Sequence, residues 1–125
     1  MKEKSEFPRP IFLSGAVRSP IGKFGGTLKR LSAPELATLA LKECIRRTAS
    51  GEASADWVFL GQARQAGARP NPARQAAVKA GLPETTPAIT VNQACASGLT
   101  AIFSAAEKIA LGRASRVFAG GVESM

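Results

Sequence analysis

Ala88-Ile-Thr-Val-Asn-Gln-Ala-Cys-Ala-Ser-Gly98 runs directly into Leu99-Thr-Ala-Ile-Phe-Ser-Ala-Ala-Glu-Lys-Ile-Ala-Leu-Gly112, and this junction decides the fold. The first four residues are apolar or β-branched and read as a short strand. Leu99, Ile102, Phe103, Ala106, Ile109 and Ala110 then recur at the helical period, and Gly112 marks the stop. A strand that passes through small residues into an amphipathic helix is part of a βαβ unit, so its neighbours should be strands as well. Arg116-Val-Phe-Ala119 follows the helix as one, and Trp57-Val-Phe-Leu60 lies upstream as another.

Between those upstream strands, Asn71-Pro72 has the chemistry of a helix start, with Asn as N-cap and Pro as first helical residue. The helix Ala73 to Ala80 should stop at Gly81, and Leu82 to Pro87 is the turn. Further back, Ser32-Ala-Pro-Glu35 has capping-box spacing: Ser32 is expected to accept from a first-turn amide while Glu35 reaches back to the Ser32 amide. Leu36, Ala37, Ala40, Leu41, Cys44 and Ile45 continue as a broad apolar stripe, with Lys42, Glu43, Arg46 and Arg47 opposite. Cys44 therefore reads as a small core hydrophobe. Ile11-Phe-Leu-Ser-Gly-Ala-Val17 reads as a buried first strand, broken by Arg18-Ser-Pro-Ile-Gly-Lys-Phe-Gly-Gly26. That stretch is a loop for which Ile21 and Phe24 offer apolar anchors.

The alternation is βαβαβαβ, the pattern of an α/β fold whose parallel sheet has right-handed crossovers and helices on both faces. Residues 1–10 read as a lead-in and 11–125 as the domain. With 125 residues, 45% hydrophobic and 21% charged, the chain has the size of one domain and excludes whole-chain disorder. It carries no histidine, so no imidazole base or ligand can come from these residues. Two cysteines without C-x-x-C spacing indicate neither a metal site nor a disulfide framework, and a reducing, cytoplasmic setting is expected. The amino terminus lacks the apolar region of a secretory signal, and no apolar run approaches membrane-spanning length.

The net charge of +8 suits nucleic acid, an anionic surface or a polyanionic small ligand. No zinc-finger spacing, RNP-like aromatic motif or basic helix accompanies it, so neither nucleic acid nor a membrane is the expected partner.

Cys95 is the candidate for chemistry. Open α/β sheets place sites beyond the carboxyl ends of their strands, where Cys95 falls. A thiol at a helix start faces the positive end of the macrodipole and unpaired amides, which lowers its pKa from about 8.5 and enriches the thiolate. Ala94, Ala96, Ser97 and Gly98 are small enough to admit an electrophile and let backbone N–H groups point at an oxyanion. Asn92 and Ser97 are expected to set the turn by bonding local backbone.

Five stretches in order resemble the amino-terminal half of thiolases, the coenzyme A dependent acyltransferases. They are Ala16 to Leu28, Gly61 through Asn71-Pro-Ala-Arg-Gln-Ala76, Gly81-Leu-Pro-Glu-Thr85, Val91-Asn-Gln-Ala-Cys-Ala-Ser-Gly-Leu99 and Gly120-Gly-Val-Glu-Ser-Met125. Ketoacyl synthases share the fold, but usually surround their cysteine with Ala-Cys-Ser-Ser. The sequence departs from many thiolases at Ala96, where they have Gly, and at Gln93-Ala94, where they have a basic-hydrophobic pair.

The resemblance implies most of one half of a pseudo-duplicated fold. It makes Cys95 the acyl-accepting nucleophile, with its backbone N–H in an oxyanion hole. Coenzyme A and acyl-CoA enter as substrates, with no permanently bound cofactor and no metal. It further implies a homo-oligomer, dimer or tetramer, or a partner that carries the carboxyl-terminal half. The histidine, second cysteine and asparagine of that half are not in these residues, so the isolated chain is expected to lack turnover. A non-catalytic binding or assembly subunit is the alternative. No coenzyme-binding residue is assigned.

Overall fold

A computed structural model describes residues 8–48 and 53–125. Its elements are α1 (Ala33–Thr48), β1 (Trp57–Gly61), α2 (Pro72–Lys79), β2 (Ala88–Val91), α3 (Ser97–Ala110) and β3 (Val117–Gly121). The strands form one parallel sheet in the order β2-β1-β3, with Phe59 opposite Ile89 on one side and Ala119 on the other. The chain crosses from β1 to β2 through α2, then back over β1 to β3 through α3. Because the direction of crossing reverses, two crossovers of one hand place their helices on opposite faces.

The pleat of β1 sorts its side chains between those faces. Val58 packs with Ile45, Ala77, Leu82 and Phe118, while Leu60 packs with Ala37, Ala73 and Ala76, so α1 and α2 cover this face together. Phe59 points the other way, onto Ala101 and Ala105 of α3, with Trp57, Val91 and Val117 around them. Trp57 stacks on Phe59 at 5.8 Å, and the Lys108 ammonium lies 4.2 Å from the Trp57 ring centre.

The start of α2 follows its sequence signals closely. Asn71 caps it by accepting from the Arg74 amide at 3.1 Å, and Pro72 occupies the first turn. Asn71 also donates to the Ala88 carbonyl and accepts from Thr90 Oγ1, tying the cap to β2. Gly81, with φ of 93°, ends the helix in a conformation that a Cβ would oppose.

Four expectations are corrected. Ile11–Val17 is not a strand: Phe12 and Leu13 are 84% and 82% exposed, and no backbone hydrogen bond among the described residues joins the segment to the sheet. A cavity of about 660 Å³ separates Ile11 to Ala16 from Val117 to Ala119. Apolar, β-branched content favours a strand only where a ladder partner is in register, and here the segment is held by Arg47 donating to the Ala16 carbonyl. The described pattern is therefore αβαβαβ, and the lead-in is described only from Pro8 to Pro10, which are exposed.

Second, Ile21 and Phe24 do not anchor their loop, since both are 86% exposed. Third, Ser32 Oγ donates to Glu35 Oε2 at 2.6 Å instead of accepting from an amide. Glu35 still reaches back to the Ser32 amide at 2.8 Å, and these two bonds hold its carboxyl below the usual carboxylate range. Fourth, the face of α3 that meets the sheet is Ser97, Ala101 and Ala105, whereas Leu99 and Phe103 of the apolar stripe are each 57% exposed. A close helix–sheet approach selects the small residues, and the large ones lie to the side.

Candidate active site

Three strand ends converge where the site is expected. Gln62 donates its amide to the Val91 carbonyl and Val122 to the Gly61 carbonyl, both at 3.0 Å, so the carboxyl ends of β2, β1 and β3 leave the sheet side by side. The start of α3 sits directly on this edge because glycines leave room for it. A Cβ on Gly61 would overlap the Ser97 carbonyl group, and one on Gly121 would lie 3.0 Å from Gly98 Cα. Helix backbone thus rests on strand backbone, an approach open to no other residue.

The turn from β2 into α3 is built by the two side chains expected to set it. Asn92 Oδ1 accepts from the Ala94 amide at 3.1 Å, holding Ala94 at a φ of 48° that non-glycine residues seldom adopt. Ser97 Oγ accepts from the Gln93 amide at 2.8 Å and donates to the Ala94 carbonyl at 2.6 Å. Gln93 Oε1 accepts from Thr100 Oγ1, which closes the turn against the first coil of the helix. The Ala96 and Ser97 amides donate to Gln93 and Ala94 carbonyls.

Cys95 stands at the crest of this turn, exposed, one residue before the Ala96 N-cap of α3. Its own amide has no acceptor among the described residues, although its neighbours' amides are used. A thiol and a free N–H on one residue, at the mouth of a helix, form an arrangement that can present a nucleophile and stabilise a developing oxyanion.

Cys44 differs in every respect. It lies in the middle of α1, half-buried, and packs against the Ile45, Val58 and Phe118 cluster. Burial pushes its thiol up, with Arg47 acting weakly the other way. No group of three or more His, Cys, Asp or Glu among the described residues could hold a metal ion. No helix of the described residues is long and apolar enough to cross a membrane.

Sequence reasoning missed the loop that follows β1. Gln62 is almost completely buried and donates to the Arg64 carbonyl at 2.9 Å, while its Oε1 is buried without a partner among the described residues. Glu123 accepts from the amides of Ala63 and Arg64, and Asn92 donates to the Ala63 carbonyl. The matching Gly61 and Gly120–Met125 stretches were visible, but nothing local to them shows that they meet.

Fold and site define a class: a parallel α/β chain presenting a cysteine at a helix start beyond its strand ends. The family model described as thiolase, N-terminal domain, matches residues 11–125, and the chain belongs to the thiolase family. An acetyl-CoA acetyltransferase of Cupriavidus necator is 44% identical over 115 residues, which are 92% of this chain and 29% of that protein. A beta-ketoadipyl-CoA thiolase of Pseudomonas aeruginosa is 49% identical over 119 residues, 94% of this chain and 30% of its own length. Among solved structures, the Bacillus anthracis acetyl-CoA acetyltransferase superimposes with a TM-score of 0.81 at 45% identity, covering 86% of this chain and 27% of that one. The chain thus spans less than a third of the length of these relatives.

Proposed function

We propose that the chain is the amino-terminal part of a thiolase-type acyltransferase, with Cys95 as the residue that carries the acyl group. The observation that carries this reading is the exposed Cys95 thiol at the start of α3, with its own amide unpaired among the described residues. In the proposed reaction the Cys95 thiolate attacks the carbonyl carbon of an acyl thioester. A sulfur–carbon bond forms, the negative charge on the carbonyl oxygen meets the Cys95 N–H, and the coenzyme A thiolate leaves and takes up a proton. A second acyl-CoA, or free coenzyme A, then receives the acyl group, making or cleaving a 3-oxoacyl-CoA.

Proton transfer to and from sulfur needs a group that these residues lack, since the chain has no histidine and Cys44 is placed inside a packed helix. The isolated 125 residues are therefore proposed to lack turnover, and the remainder of the machinery to come from further chain or from a partner. A cytoplasmic homo-oligomer in fatty acid metabolism is part of the same proposal, supported by the acyl-CoA chemistry that the relatives' names carry. The +8 charge is compatible with a polyanionic coenzyme substrate.

The polypeptide as its gene encodes it, incubated with acetyl-CoA and analysed as peptides by mass spectrometry, should carry one acetyl group on the Cys95 peptide. The Cys95→Ser variant should lose that label and at least about a thousandfold of its turnover. Undiminished turnover without Cys95 would sink the proposal. Absence of any acyl label together with absence of turnover would favour a non-catalytic assembly subunit.

A further inference from the structure

Among the described residues the loop Gln62–Gln65 makes no hydrogen bond to Cys95 or to α3, yet the sheet ends hold it in a specific way. The Ala63 peptide unit and its neighbour are gripped from both flanking strands. From beyond β3, Glu123 Oε2 accepts from the Ala63 amide at 3.1 Å and Oε1 from the Arg64 amide at 3.0 Å. From beyond β2, Asn92 Nδ2 donates to the Ala63 carbonyl at 2.9 Å, and the same side chain's Oδ1 accepts from Ala94, the residue before Cys95. The loop is stiffened internally by Gln62 donating to the Arg64 carbonyl and Gln65 to the Gln62 carbonyl. A continuous set of hydrogen bonds therefore runs from the Glu123 carboxylate through Ala63 to Asn92, and through Asn92 to the strained Ala94.

We infer that Glu123 is a positioning residue for Cys95, acting through Ala63 and Asn92 to hold the nucleophile turn in its left-handed form. This rests on the proposed role of Cys95. Glu123 touches no reacting atom. A carboxylate suits the task because it offers two oxygens to two successive amides, and such charge-assisted bonds are the stronger kind. Gln could keep only one of the two bonds, since its NH₂ would face an amide donor. Asp keeps both oxygens on a shorter stem.

The test compares the parent with Glu123→Ala, Glu123→Gln, Glu123→Asp, Asn92→Ala and the Glu123→Ala/Asn92→Ala double variant. The two readouts are amide hydrogen exchange at Ala63, Arg64 and Ala94, and the rates at which iodoacetamide labels Cys95 and Cys44. Glu123→Ala should speed exchange at Ala63 and Arg64, and also at Ala94, by about tenfold. It should slow Cys95 labelling while Cys44, on the far side of the sheet, keeps its rate. Asp should restore most of the protection and Gln less. The double variant should fall well short of the product of the single effects, because both residues act through one peptide unit.

Unchanged Ala94 exchange in Glu123→Ala would overturn the inference, as would multiplicative effects in the double variant. Faster Cys44 labelling alongside would also overturn it, by making Glu123 a general brace of the fold. A parent Cys95 that labels no faster than Cys44 would count against the acyl-carrier reading instead, and the exchange data would still decide on Glu123.

Discussion

The middle of α1 and the turn from β2 into α3 each hold one of the two cysteines, and they treat the same side chain in opposite ways. In α1 the helical stripe turns Cys44 inward, against Ile45 and Val58, and burial raises its thiol pKa. In the turn the backbone is spent on local bonds to Asn92 and Ser97, and Cys95 is left exposed with an amide that has no acceptor among the described residues. Desolvation disfavours the thiolate in the first place, whereas the second leaves the thiol open to an approaching reactant. Exposure of a thiol in this chain is thus a property of placement, which the residue type alone does not confer.

That contrast depends on α3 lying flat on the strand ends, so the largest effect should come from Gly61. Gly61→Ala puts a methyl group into the backbone of Ser97 and Gly98, and should cost about 3 kcal/mol by urea unfolding while displacing the Cys95 turn. Gly120→Ala, whose added methyl meets nothing within 4 Å, should stay within about 0.5 kcal/mol of the parent. If the two variants unfold alike, the close approach does not position Cys95.

Ile45→Ala should sharpen the other half. The buried side chain fills the space beside Cys44 and Val58, and its loss should cost about 2 kcal/mol and speed Cys44 alkylation, with Cys95 unaffected. Equal acceleration at both thiols would mean that the two regions open together.

The smallest effect expected is electrostatic. Arg46 and Arg47 hydrogen-bond to the Glu43 carboxylate, next in sequence to Cys44, and bring the carboxyl pKa of Glu43 down to about 2. A depressed carboxylate pKa stabilises the fold fully above the unfolded value, about 4.3, and this contribution is lost as pH falls through about 2. Glu43→Gln should therefore raise the acid-unfolding midpoint slightly at low salt. The difference should vanish at high salt, because the cluster is exposed and screened. A salt-independent difference would point to packing by the Glu43 stem instead.

Much of the site was legible from local pattern. The cysteine between a strand and a helix, the turn-setting Asn92 and Ser97, and the Asn71-Pro72 cap all carry their signals within a few residues, because turns and caps are closed by short-range hydrogen bonds. The glycine seat of α3 was not legible. Gly61 and Ser97 are brought together only by the sheet order, so nothing near either one shows that a Cβ would be excluded.

The amino-acid sequence by itself determined three of the four strands read from it, three helices, their alternation and therefore an α/β fold, since short apolar, β-branched runs and 3.6-residue patterns are written in neighbouring residues. Only the tertiary structure decided which apolar residues find partners. Ile11–Val17 has the composition of a strand without a ladder to join, and Leu99 and Phe103 have helical spacing but lie beside the contact that Ala101 and Ala105 make. Glu123, Ala63 and Asn92 meet for the same reason: parallel strands align their carboxyl ends, and residues far apart in sequence become hydrogen-bonding neighbours.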